Sequence, residues 1–421
     1  MNELQKFCRE LQIDPVLRSR LEPVWEKLVS GWNGNLPFFL DNKYFEHIYP
    51  YCKSNFPLTQ VMPFAESVIE TARTNPQAAL LAYIIFREEF QQDHPFRFGF
   101  PPDRLPIFGE KYSGMLGLMI ALGAYPLIAD AYAKLGIPES YAQAAMQSIG
   151  ASMIAFGLAH GGIPGRPCQF GWIRRYIDTT LYRIGRLEYL LHPYVDWLPA
   201  IYRGPHGQLA VLCREGWKFR SEKRRAMPGE NVVFTAHWEE TEKSITGIPC
   251  HPDGKVDFEH PLTLKTAEWH PVASPWDICP SIHIPAGSRM PFEIMKESMI
   301  EARIFFDRYL YKRIPLLCCW SWILNPAWET LIQNSNMVRF RQECFAFPTL
   351  SVGPKSGMVF LFGRDDVSPE ELPAINRVQK AYQEAFRQDQ IDYGGVFVLM
   401  EDLEKLGNQY YRKKYTMFHT R

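Results

Sequence analysis

Through the first 160 residues, apolar side chains recur at steps of three and four, the period of helices buried on one face. In LRSRLEPVWEKLVSGW (17–32), Leu17, Leu21, Val24, Leu28 and Trp32 share such a face, which predicts a helix. AESVIETARTNPQAALLAYIIFREEF (65–90) predicts two helical stretches broken near Asn75-Pro76. MLGLMIALGAYPLIA (115–129) is apolar all round but carries two glycines and a proline, so it reads as a buried helix pair, too short to cross a bilayer. SYAQAAMQSIGASMIAFGLAHGG (140–162) is Ala-rich and ends in a glycine pair suited to a helix C-cap. No strand alternation stands out before about residue 180.

Beyond that point the period shortens. IGRLEYLL (184–191), GQLAVLCR (207–214), KVDF (255–258) and ICPSIHIP (278–285) read as short strands between Gly/Pro turns, and HPDGK (251–255) as a hairpin turn. LLCCWSWIL (316–324) has no charge, which suits a strand buried on both faces. It lies between helical patterns at 292–310 and 325–345. MVFLFG (358–363) reads as a strand. Residues 368–389 read as a helix with a capping box from Ser368 to Glu371 and Pro369 at its first position, and 394–400 as a last strand. The pattern therefore predicts an α+β protein of two domains: an all-α domain over 1–175, then strands alternating with helices over 176–421.

Composition narrows the function classes. Lys+Arg and Asp+Glu both number 46, so bulk charge favours neither nucleic acid nor an anionic membrane as partner. The one basic cluster, RSEKRRAMPG (220–229), reads either as a solvated turn or as a contact for a phosphate or other acidic group. The nine cysteines include no C-x-x-C, and MNELQKFCRE has no signal-peptide pattern, so reduced thiols and a cytoplasmic location are expected. Cys250, His251, His260 and His270 fit no common zinc spacing, and no metal is expected. His160-Gly161-Gly162 lacks an accompanying G-x-S-x-G elbow and reads as linker.

Five stretches carry a resemblance: KLGIPESYAQAAMQSIG (134–150), LYRIGRLEYLL (181–191), IHIPAGSRM (282–290), CCWSWILNPAW (318–328) and NSNMVRF (334–340). With these the chain resembles bacterial acyltransferases built from a helical N-acyltransferase N-terminal domain and a GNAT-like C-terminal domain, a mixed β-sheet flanked by helices. The resemblance implies acetyl-CoA or another acyl-CoA as a substrate and a small-molecule amine as acceptor; the balanced charge leads to no nucleic-acid or membrane partner being expected. It places the pantetheine arm where strands 280–284 and 316–324 splay apart. It places the pyrophosphate on loop 285–291, before the helix that begins near Pro291. The cofactor contacts it implies are Ile284, Ala286, Gly287, Ser288, Arg289, Met290, Ser335 and Asn336. Where the family's loop has spaced glycines, this chain has Gly287 alone, and Pro285 and Pro291 remove two N–H donors. A GNAT-like module that binds CoA or another ligand without turnover is the alternative, and an interaction protein with no nucleotide site a third reading.

Amide formation from a thioester needs a neutral amine, a base for its proton, and donors for the thioester oxygen and departing thiolate. Glu188, mid-strand, is a candidate base or a cross-strand partner of an arginine. His283 is a second candidate base or a satisfied structural histidine. Ser321 is the polar side chain in its strand, available to the leaving thiolate or bonded to a neighbouring backbone group. Ser335 and Asn336 interrupt a helical pattern, which suits either a ligand contact or a local cap. Arg289 reads as a phosphate partner or a surface charge, and Lys296 likewise. Cys318 and Cys319 read as small buried hydrophobes before acyl acceptors.

Overall fold

The computed structural model describes residues 2–91, 106–109, 112–167, 169–194, 197–221, 224–287 and 289–415. The chain divides into two compact units, one of Met1–Arg183 with Pro285–Ser288, the other of Ile184–Ile284 with Arg289–Arg421.

The helices of the first unit run from Glu3–Glu10 to Gly171–Ile177, and its last described residues before Ile184 open the strand Leu181–Ile184. The break expected near Asn75-Pro76 separates Leu58–Thr74 from Pro76–Gln91. The apolar stretch that follows is long and apolar enough to span a bilayer by composition, but it is two helices, Ser113–Leu122 and Tyr125–Lys134. Their inward faces are fully buried at Leu116, Met119, Ile120 and Ile128. The helix expected over 17–32 is interrupted: Pro15–Leu21 gives way to a 3₁₀ turn at Glu22–Val24 before Trp25–Val29. Pro23 cannot donate its missing N–H to the ladder, so the turn tightens there.

A six-stranded sheet underlies the second unit, every strand but the first falling wholly within it. In chain order its strands are β1 (Leu181–Ile184), β2 (Leu187–Leu190), β3 (Ser281–His283), β4 (Leu316–Ser321), β5 (Phe345–Pro348) and β6 (Gly394–Leu399). Their spatial order is β1-β2-β3-β4-β6-β5. Only β3 and β4 pair in parallel among the registers described, and β2, β5 and β6 run antiparallel to their neighbours. Helix α1 (Phe292–Tyr309) makes the β3-to-β4 crossover, α2 (Asn336–Glu343) precedes β5, and α3 (Arg377–Arg387) precedes β6. Between β2 and β3 lies an insert of short antiparallel strands, among them Ala200–Arg203 with Leu209–Leu212 and Lys218–Phe219 with Phe234–Thr235.

Five elements of this unit differ from their sequence pattern. KVDF (255–258), read as a strand, holds only an isolated bridge from Val256 to Cys250. The single strand expected over 184–191 is a hairpin, because Gly185 adopts φ 55 and turns the chain. MVFLFG is the helix Met358–Phe362, not a strand. It is closed at both ends by left-handed glycines, Gly357 (φ 90) and Gly363 (φ 78), and six apolar residues do not reveal their period. The helix expected over 325–345 is two, Trp328–Leu331 and α2, after which 345–348 is the missing strand, β5. The Ser368 capping box is real but caps a 3₁₀ turn, Pro369–Glu371; α3 starts later, on a second box from Asn376 to Gln379.

Candidate functional site

Strands β3 and β4 share one register pair, Ser281 with Cys318, beside which the Cys318 N–H donates to the Pro280 carbonyl at 3.0 Å. Past it both strands continue, each zipped to its other neighbour. On β3, Ile282 pairs with Tyr189 and His283 with Glu188 of β2. On β4, Cys319, Trp320 and Ser321 pair with Val396, Gly395 and Gly394 of β6. The two parallel strands thus part within the sheet, and a wedge opens between 282–284 and 319–321. One glycine on β6 bears on the end of β4. A Cβ at Gly394 would collide with the Leu324 carbonyl, so its lack of a side chain lets the turn Trp322–Leu324 close down on β6. Gly395 gives the same room to the Phe347 ring of β5 on the other side of β6.

Register decides what faces the wedge. Directly opposed and alternate strand residues share a face, so Glu188, Ser281, His283, Cys318 and Trp320 lie on one side of the sheet. Glu188 is 3% exposed and His283 half-buried, and the Ser281 Oγ stands 3.1 Å from His283 Nε2. Two of the candidate bases are therefore cross-strand neighbours. The opposite face carries Tyr189, Ile282 and Cys319 and is covered by α1. Tyr189 Oη is 2.9 Å from Ser298 Oγ, which itself donates to the Ile184 carbonyl at 2.6 Å.

Ser321 ends β4, half-buried, where its Oγ accepts the Ile323 N–H at 3.3 Å and caps the following turn. Beside it, Trp320 is 43% exposed. Its ring meets Trp197 at 5.9 Å and Tyr393 at 5.8 Å, forming an aromatic wall at the mouth of the wedge. Cys318 and Cys319 are fully buried, and burial raises both thiols, Cys319 to about 12, so neither supplies a thiolate at neutral pH.

The loop after β3 is divided. Ile284 is half-buried in the sheet unit, whereas Ala286 and Gly287 are exposed and group with the helical unit, Gly287 at φ 106. Ser288 lies outside the described residues. Arg289 is exposed, its carbonyl accepting from Arg186 Nε at 3.4 Å, and Met290 is half-buried. Helix α1 starts after Pro291 with no side-chain cap. The first-turn carboxylate of Glu293 already faces that positive end, held below its ordinary range by its own backbone N–H and by Arg339 at 2.6 Å. Arg339, which also lies over the Phe292 ring at 4.9 Å, is thus a cation at this helix end that the sequence pattern did not single out. Lys296 is committed elsewhere, donating to the Glu404 and Leu406 carbonyls at 3.0 and 2.6 Å. Ser335 serves as the N-cap of α2, its Oγ accepting the Val338 N–H at 3.2 Å, and Asn336 is exposed at the first position of that helix.

One carboxyl near the mouth was not foreseen. Asp392, just before β6, is raised to about 6 by burial, with Arg224 at 3.8 Å and the Tyr393 N–H donating to it. Nothing in its sequence context marks it, since burial is a property of the fold. Among the described residues no group of three His, Cys, Asp or Glu side chains is placed to hold a metal ion.

The model of the GNAT-like C-terminal domain family matches residues 181–396. No curated protein matches the chain by sequence. Among solved structures, a mutant acyltransferase in complex with octanoyl-CoA aligns at a TM-score of 0.59 and 16% identity, over 94% of this chain and 99% of that one. An acyltransferase in complex with decanoyl-CoA and teicoplanin aligns at 0.58 and 14%, over 95% and 100%. At these identities the likeness is one of fold, and it extends over both units.

Proposed function

Because the chain belongs to the family of the GNAT-like C-terminal domain, we propose that it transfers an acyl group from a CoA thioester to an amine. The observation that carries this reading is the parting of β3 from β4 after Ser281 and Cys318 while both stay zipped on their outer sides. Such a wedge offers strand-edge N–H and C=O groups to the amides of a pantetheine arm, as an added strand would. It is prebuilt, so little ordering is charged to binding.

In the proposed reaction the acceptor nitrogen attacks the thioester carbonyl carbon. An N–C bond forms, the C–S bond breaks, the amine proton passes to a base, and CoA leaves as the thiol after protonation. His283 is the group assigned the amine proton, oriented by Ser281 at 3.1 Å and with Glu188 opposite it on the same face. Trp320 and Trp197 exclude water from the carbonyl. Ile284, Ala286, Gly287, Ser288, Met290 and Arg289 remain the proposed phosphate-side contacts, to which the fold adds Arg339.

The test is the melting temperature with CoA and acyl-CoAs of graded chain length. A ligand near 100 times its Kd stabilises by about 2.7 kcal/mol, a readable shift. No shift with any of them would overturn the reading. A shift without thiol release across an amine panel would replace it with a binding module that does not turn over.

A further inference from the structure

The insert between β2 and β3 holds a cleft of about 720 Å³, within the size range of small-molecule sites. Trp197, Trp217, Trp238 and Leu350 form apolar walls, and Arg214 and Arg225 also line it. Trp197 is shared: it lines this cleft, and its ring lies tilted 5.9 Å from that of Trp320 at the mouth of the wedge. The cleft therefore adjoins the reacting end of the proposed donor site.

Its charges are unequally committed. The Arg214 Nε donates to the Leu198 carbonyl at 3.0 Å, and the guanidinium lies over Tyr194 at 4.8 Å. Glu215 and Glu240 also line the cleft: Glu215 accepts the Trp238 N–H at 2.6 Å and faces His237 at 3.3 Å, and Glu240 is exposed on the short strand Glu239–Glu240. Arg225 differs from its neighbours in the basic cluster. Arg220 pairs with Glu230 at 2.9 Å and Arg224 approaches Asp392 at 3.8 Å. The guanidinium of Arg225 has no ion pair with the described residues, and its Nε is buried without a hydrogen-bond partner. It is fixed in place. A bridge to Phe219 and the Ala226 N–H on the Lys218 carbonyl at 2.8 Å hold its backbone, and its side chain lies 4.0 Å over the Trp217 ring. Burial pushes the group down to about 10, still charged at neutral pH. A partly desolvated guanidinium with no carboxylate partner among the described residues is a costly arrangement, and an anion in the cleft, meeting the two terminal nitrogens of Arg225, would offset that cost.

We propose that this cleft is the acceptor subsite and that it takes an amine acceptor carrying a carboxylate beside an aromatic or other flat apolar group. The carboxylate meets Arg225 and the flat group lies among Trp197, Trp217 and Trp238. The assignment rests on the acyl-transfer reading for its role, though not for its ligand chemistry.

Calorimetric titration of the full chain with phenylacetate and with neutral phenylacetamide tests it, because the pair differs in charge at nearly constant shape. The acid is expected to bind at least about tenfold more tightly than the amide, a charge-assisted bond against a neutral one. Arg225→Gln is expected to bring the two to equality, and Trp238→Ala to weaken both. Equal binding in the unmodified chain, binding of neither, or a preference that survives Arg225→Gln would overturn the proposal. Arg225→Lys, which keeps the charge, guards against a folding defect: it should retain a preference for the acid. The CoA-induced melting shift is read on the same samples. Its absence beside an intact acid preference would sink the acyl-transfer reading and leave the cleft assignment standing.

Discussion

His283 and Glu188 were each visible in the sequence as polar groups in strands, but their pairing was not. They lie 95 positions apart, and only the β2–β3 register brings them to one face. Asp392 was invisible for a different reason: its carboxyl is set apart by burial and by Arg224, which no local pattern encodes. Ser335, a helix-disfavouring residue in the pattern, is the N-cap of α2. If His283 takes the amine proton, His283→Gln should lower turnover by about 10²–10⁴-fold while the CoA-induced melting shift persists. Steady-state kinetics beside thermal melting separates the two effects. Undiminished turnover would remove His283 from the proton path and point to Asp392, the carboxyl nearest neutrality at the wedge mouth.

At the scale of elements, the alternation of strands and helices from residue 278 on was legible, because β4, α1 and β6 have unambiguous periods. The third strand was placed wrongly. Phe345–Pro348 is four residues running straight on from α2, and it becomes a strand by pairing with β6, a tertiary choice. How α1 is fixed to the sheet was equally hidden. The relay from Tyr189 through Ser298 to the Ile184 carbonyl is fully buried and ties the helix to the β1–β2 turn. Gly185 belongs to the same junction, since a Cβ there would stand 3.2 Å from that of Ser298. Ser298→Ala leaves the Tyr189 hydroxyl and the Ile184 carbonyl without this partner. Denaturant unfolding should show a loss of about 1–3 kcal/mol, the cost of a stranded buried polar group. A change below about 0.5 kcal/mol would mean that the relay contributes little.

For the molecule as a whole, a net charge of zero gives no lead on how stability varies with pH, and the answer rests on individual buried groups. Asp392 makes the case. Its folded carboxyl is raised from 3.8 to about 6, chiefly by burial, so the native state holds this proton more tightly than the unfolded chain does. The resulting stabilisation is fully present below about pH 3.8 and is lost as pH rises through about 6. The difference amounts to about 2–3 kcal/mol across that window. Asp392→Asn keeps an acceptor for the Tyr393 N–H but cannot ionise, so it should lack this component. Melting both proteins from pH 4 to pH 7 isolates it, because the remaining titrations are common to the pair. The unmodified chain should lose ground to the variant steadily over that range. A melting difference that stays constant with pH would show that Arg224, at 3.8 Å, offsets the burial and keeps the carboxylate charged. Asp392 would then no longer be a candidate base tuned toward neutrality at the wedge.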